Sequence, residues 1–255
     1  KAKEKLALIA RNKTEGWSPR NLPHIFVLFK SVFRYASREY RIRNVLDGIV
    51  LPKKNKPEIA VMNKKQQLRL EKYLDERPSV TSVGIAISMY MGLRIGEVCA
   101  LQWKEIDLEK RVLTVSKTIQ RVQCRTGSKQ TKLIITEPKS ESSKRTIPIP
   151  DCLLPLLRRF KDNGEVYVVS GRKKPVEPRT MQYRFAKILH NADLPSFHYH
   201  SLRHLFATRC VELGFDVKTL SEILGHSSVE VTLNRYIHSD MERKRTCMSL
   251  LSKCA

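Results

Sequence analysis

No stretch of this 255-residue chain strings together the ~18 apolar residues that a membrane-spanning helix requires, and no basic-then-apolar leader opens it. A helical membrane protein and a secreted protein are therefore not expected; the sequence reads as soluble and intracellular. Six cysteines, Cys99, Cys124, Cys152, Cys210, Cys247 and Cys254, include no C-x-x-C pair. That argues against a zinc site or a disulfide framework, leaving reduced thiols, several of them filling the core. No internal repeat or low-complexity tract is present. Carboxylates are scarce and no acidic cluster of metal-binding type occurs, so the expected site uses neither metal nor cofactor.

What the chain has is positive charge. Its 48 Lys and Arg face 25 Asp and Glu, for a formal charge of +23 and a pI near 10.0. That exceeds what solubility calls for and points to a polyanion, nucleic acid first, as the partner. A hydrophobic content of 41% suffices for a packed core.

The opening KAKEKLALIARNKTEG, without an initiating Met, reads as a basic helical fragment starting inside a longer protein. Between Ser18 and Asp47 the residues Leu22, Ile25, Phe26, Phe29, Phe33 and Ala36 fall at helical spacing with Arg and Lys interleaved, predicting an amphipathic helix with a basic outer face. LPKKNKPEIA at 51–60 has linker composition and is expected to divide a helical domain at 1–55 from a larger one at 56–240, followed by a tail at 241–255. Asn63 with Gln66 predicts a capping box, and a helix over Thr81–Met91 should stop at Gly92. LRIGEVCALQW then sets Arg94 at a helix mouth with Glu97 on the neighbouring face, Glu97 serving as the partner of a basic residue. RVLTVSK, TKLIITE and RTIPIP predict a small antiparallel sheet over Arg111–Pro150, with Lys139 and Lys144 near its last turn. Helices over CLLPLLRRF and MQYRFAKILHNA and a brief strand at VYVV follow. Asp216 should cap VKTLSEILG, Gly225 should end it, and Ser227 or Ser228 should cap a helix carrying Val231, Leu233 and Tyr236. The expected fold is mainly α with a small antiparallel β-sheet.

Chemistry concentrates between His198 and Tyr236. Around Leu202, Phe206, Ala207 and Val211, which form an apolar stripe, His200 and Arg203 are three apart and should project together at its edge. A lone Arg or His is usually an ion-pair or core residue, so the set must be weighed jointly. Two arginines, Arg94 and Arg203, can grip the non-bridging oxygens of a phosphodiester with a fork that lysine lacks. A tyrosine hydroxyl of pKa ~10 needs a base or strong positive potential to attack phosphorus; Tyr236 is the candidate nucleophile and His200 the candidate base. His226 can donate a hydrogen bond to a phosphoryl oxygen, and a hairpin lysine can protonate the leaving oxygen. Lys139 fits that role, although spacing alone does not choose it over Lys144. His204 orients its neighbours, and Trp103 and Phe206 belong to the core.

LRIGE, TEPKSESSKRTIPI, HSLRHLFAT and LGHSSVEVTLNRY, in this order and with His226 ten residues before Tyr236, resemble the tyrosine recombinases, in particular the integrases of conjugative transposons and lambdoid phages. The resemblance covers about residues 90–240. It implies a helical core-binding domain, shortened here, joined to a mixed α/β catalytic domain that close as a clamp on duplex DNA. It further implies that Arg94, Lys139, His200, Arg203 and His226 surround the scissile phosphate while Tyr236 forms a 3′-phosphotyrosyl link, without ATP or metal. The implied function is a site-specific recombinase that integrates or excises a mobile element. The implied partners are double-stranded DNA, a homo-oligomer that is tetrameric at synapsis, and an accessory DNA-bending or directionality factor. The implied location is the bacterial cytoplasm, on the nucleoid when DNA-bound. CMSLLSKC in the tail would dock on a neighbouring subunit or on its own domain, and no arm-binding module is visible. The other readings are a type IB topoisomerase and a non-catalytic DNA-binding module.

Overall fold

The computed structural model describes residues 22–49, 62–123, 131–137, 144–226 and 228–230, with residues 232, 245 and 249. The chain divides into two compact units, Lys1–Glu58 and Ile59–Ala255. In the first, α1 spans Leu22–Tyr40. Phe26 is buried and Ile25, Phe33 and Ala36 are half-covered, so the expected stripe exists, but Phe29 is 52% exposed. The outer face is mixed rather than simply basic, with Val27, Leu28, Val32 and Tyr35 beside Arg34 and Arg38. One helix can bury one stripe, and the apolar residues here exceed it.

The second unit is built around α3 (Val80–Met91), which follows α2 (Lys64–Glu76). Thr81 through Met89, and Met91, are buried on every side, the signature of a helix enclosed by others. It packs on α4 (Ile95–Ala100), α5 (Leu154–Phe160), α6 (Pro178–Asn191) and α7 (His200–Glu212). Local signals set the boundaries. Asn63 and Gln66 exchange capping-box hydrogen bonds at 2.9 Å. Gly92 takes the left-handed conformation, φ 70°, that ends α3. After α7, α8 (Val217–Leu224) starts on Asp216, whose carboxylate accepts from the Thr219 amide, and ends at Gly225, φ 63°.

The expected sheet is two sheets. β1 (Ile106–Asp107), β2 (Val112–Val115) and β5 (Arg145–Pro148) form one, antiparallel throughout in the order β1-β2-β5. β3 (Thr118–Gln123) and β4 (Thr131–Thr136) form a separate antiparallel ribbon, with Thr118 opposite Thr136. The first buries Leu113, Val115 and Ile147; the ribbon presents Leu133 and Ile135 to solvent and buries Ile119 against α4. VYVV is not a strand: Tyr167 makes isolated bridges to Gln102 and Arg172 within turns, since no neighbouring run extends the pairing. The apolar residues of those turns, Val168 and Val169, are nonetheless core.

Among the described residues two buried clusters result. The larger surrounds α3; the smaller joins Phe206, Ala207, Cys210 and Val211 of α7 to Leu220 and Leu224 of α8. Cys99 and Cys210 are core thiols, pushed by burial up to about 12 and about 11, and with exposed Cys152 they are free. Among the described residues no helix is long and apolar enough to cross a membrane. The tail and the helix expected around Tyr236 lie largely outside the described residues.

Candidate active site

The last turn of α8 leaves carbonyls that no helical amide reaches, and its dipole makes that end negative. Three arginines from three other elements converge on it. Arg145, first residue of β5, donates from Nε to the Ile223 carbonyl at 2.6 Å. Arg203 of α7 donates to the Leu224 carbonyl at 2.8 Å and to that of Gly92 at 2.9 Å. Arg94, the residue before α4, donates to the Leu224 and Gly225 carbonyls at 3.3 and 3.0 Å. Arg94 and Arg203 thus share the oxygen of Leu224.

Glu97 sits under this group with a 4% exposed side chain. Its Oε1 accepts from Arg94 at 2.9 Å and from Arg145 at 3.2 Å; its Oε2 accepts from Arg145 Nη2 at 2.9 Å and from the Arg94 amide at 2.8 Å. Burial opposes its ionisation, but the Arg145 hydrogen bond and charge, with the charge of Arg94, outweigh it and hold the carboxyl below its ordinary range. Among the described residues, then, one carboxylate stands among three guanidinium groups. Such an excess of fixed positive charge favours an anion at this place.

Arg203 was expected at the edge of the α7 stripe. It is 2% exposed and enclosed instead, because the carbonyls of Gly92 and Leu224 supply polar partners inside. His200 stands at the start of the same helix, exposed, with its ring edge-on to that of buried His204 at 4.7 Å between centroids. The helix start is pinned by Tyr199. Its hydroxyl donates to the Gly84 carbonyl at 3.1 Å and lies 2.9 Å from that of Ser88, and Phe185 packs edge-on against its ring.

After Gly225 the chain delivers His226, whose amide donates to the Ser221 carbonyl and whose Nδ1 lies 2.7 Å from the Thr232 hydroxyl. That bond fixes the ring plane. His226, Arg145, Lys144 and Lys218 line an open cleft of about 350 Å³, with the carboxylate of Glu222 beside them. Of the predicted residues, Arg94, Arg203 and His226 therefore meet at the end of α8, and His200 lies one turn before Arg203. Lys139 and Tyr236 fall outside the described residues. Sequence reasoning did not single out Arg145, Tyr199 or Thr232. A basic residue opening a β-branched strand and an aromatic one before a helix are weak signals alone, and Thr232 became visible through its bond to His226.

A mainly α domain in which arginines from three elements and an oriented histidine gather at one helix end has the arrangement of an anion-binding protein. The comparisons narrow it. The model of the phage integrase family matches residues 60–243, and the chain belongs to that family. It is 29% identical over 264 residues to a XerC-like tyrosine recombinase of Caldanaerobacter subterraneus subsp. tengcongensis, covering 93% of this chain and 67% of that one. It is 28% identical to the ICEBs1 integrase of Bacillus subtilis, covering 60% of this chain and 43% of that one. The solved structure of the Tn1549 transposon integrase in complex with a circular intermediate DNA superposes with a TM-score of 0.76 at 25% identity, covering 97% of this chain and 84% of that one. The expected fold, a mainly α protein with small antiparallel sheets, is the one this similarity supports.

Proposed function

We propose that this chain is a site-specific tyrosine recombinase, an integrase that cuts and rejoins double-stranded DNA at Tyr236 to integrate or excise a mobile element. The observation that carries the reading is the shared Leu224 carbonyl: Arg94 and Arg203, 109 positions apart in sequence, are held side by side. Two guanidiniums so placed can take the two non-bridging oxygens of one phosphodiester, and their charge is most useful when the phosphorane forms. His226, oriented by Thr232, donates to a phosphoryl oxygen. His200, exposed on the first turn of α7, takes the proton of the Tyr236 hydroxyl as that oxygen attacks phosphorus.

The phosphorus–O5′ bond breaks as the phosphorus–tyrosine bond forms, and Lys139 protonates the departing O5′. The 3′-phosphotyrosyl bond preserves the energy of the phosphodiester, so attack by a 5′-hydroxyl of another strand reseals the DNA and returns the proton through the same groups. The complex of the Tn1549 integrase with a circular intermediate DNA supports DNA as the partner. Exchange of two strand pairs requires four active sites, so the synaptic form is a tetramer, with an accessory factor setting direction.

A covalent trap tests this. Nicked suicide duplexes tiled over the DNA flanking the coding sequence of this chain should yield a denaturation-resistant protein–DNA adduct that Tyr236→Phe abolishes. Absence of any adduct from the wild type would sink the reading. Exchanged strands within synaptic multimers mark a recombinase, whereas supercoil relaxation by a monomer would mark a topoisomerase.

A further inference from the structure

We propose that Arg145 is a positioning residue of this site: by neutralising Glu97 it leaves the charge of Arg94 available to the scissile phosphate. The inference rests on the catalytic reading above and extends it to a residue with no place in that mechanism.

Glu97 is the buried carboxylate of the site. A buried carboxylate demands a cation, and two compete for it, Arg94 and Arg145. The Arg145 side chain is 7% exposed and spans both carboxylate oxygens and the Ile223 carbonyl, whereas that of Arg94 is 37% exposed. Arg145 is thus the interior partner, and Arg94 touches Glu97 with one nitrogen while its other reaches the Gly225 carbonyl. Without Arg145, Glu97 would retain Arg94 as its counter-charge and draw that guanidinium inward. The grip on the phosphate would then loosen although Arg94 itself is intact.

Two features show that the place is built for this guanidinium. A Cβ on Gly225 would lie 2.9 Å from Arg145 Nη1 and 3.2 Å from its Cδ and Cζ, so a side chain before His226 would crowd the Arg145 guanidinium. Arg145 also opposes Val115 at the end of the three-stranded sheet, which fixes its backbone. In sequence it follows Lys139 by six positions.

The test measures single-turnover adduct formation on the same suicide duplexes for the wild type, Arg145→Lys, Arg145→Met and Arg145→Met/Glu97→Gln, with DNA affinity and thermal unfolding alongside. Arg145→Lys keeps the charge but cannot serve two carboxylate oxygens and a carbonyl together. Its rate constant at saturating DNA should fall by roughly tenfold to a hundredfold, the scale of a small misplacement at a reacting centre, with adduct amplitude and DNA affinity preserved. The double variant should recover part of the rate lost in Arg145→Met, because no carboxylate remains to hold Arg94. A smaller amplitude at an unchanged rate constant would reveal a folding role only and overturn the proposal, as would a double variant no faster than Arg145→Met. If Arg145→Met does not fold, Arg145→Lys decides by rate against amplitude. An adduct lost in Arg94→Ala but formed at the wild-type rate by Arg145→Lys would reject this inference and leave the catalytic reading standing; no adduct from the wild type would end both.

Discussion

Two carboxylate–arginine pairs in the larger unit invite comparison. Arg121 on the β-ribbon grips Glu177, the residue before α6, at 2.6 and 2.7 Å, while Arg145 grips Glu97 at 2.9 and 3.2 Å. By distance alone the first is the tighter. Yet its side chains are 46% and 25% exposed, against 7% and 4% for the second. Water screens the exposed pair, and either partner can be rehydrated if the other leaves. The buried pair has no such escape, so each member commits the other, and Arg94 with them. Burial, more than bond length, converts an ion pair into a constraint on the site.

Removing one member of each pair should separate them most. Glu97→Ala leaves the buried Arg145 guanidinium, and the more exposed Arg94, without their carboxylate and should cost about 3–5 kcal/mol in denaturant unfolding, the usual penalty for breaking a buried pair. A smaller effect follows from Gly225→Ala, which places a methyl group against Arg145 and strains a left-handed backbone; about 1–3 kcal/mol is expected from the backbone alone.

Acid should distinguish the pairs by a third route. The folded Glu97 carboxyl lies below its ordinary value of 4.5, so its pairing stabilises the protein fully at neutral pH. That contribution fades as pH falls from about 4.5 through the lowered folded value, and Glu97→Gln should flatten this part of the pH–stability curve relative to wild type. Arg121→Ala, at the other extreme, should leave the unfolding midpoint where it was; a large shift would show that exposure does not rank these pairs.

What could be read from the sequence divides along similar lines. The capping box at Asn63 and Gln66, the glycine stops at Gly92 and Gly225 and the cap at Asp216 are interactions within three or four residues, and local pattern suffices for them. Arg94 at a helix mouth beside Glu97 is equally local. The Arg145–Glu97 pair spans 48 positions and the Arg203–Gly92 bond 111, and neither leaves a trace in composition or period. The enclosure of Arg203 escaped for the same reason: its partners are backbone carbonyls, which every residue carries. Splitting the sheet in two was not legible either, because β-branched runs give strands but not their pairing. At VYVV the same residue types serve the core from turns.

In the proposed mechanism Arg94 and Arg203 hold the scissile phosphate from the end of α8 with a fork that charge alone does not replace. Arg94→Lys tests it most directly, in single-turnover cleavage of a nicked suicide duplex with DNA affinity measured on the same preparation. Affinity should stay close to wild type while the cleavage rate falls by roughly a hundredfold or more, the scale on which one fixed transition-state donor acts. Cleavage at the wild-type rate would contradict it.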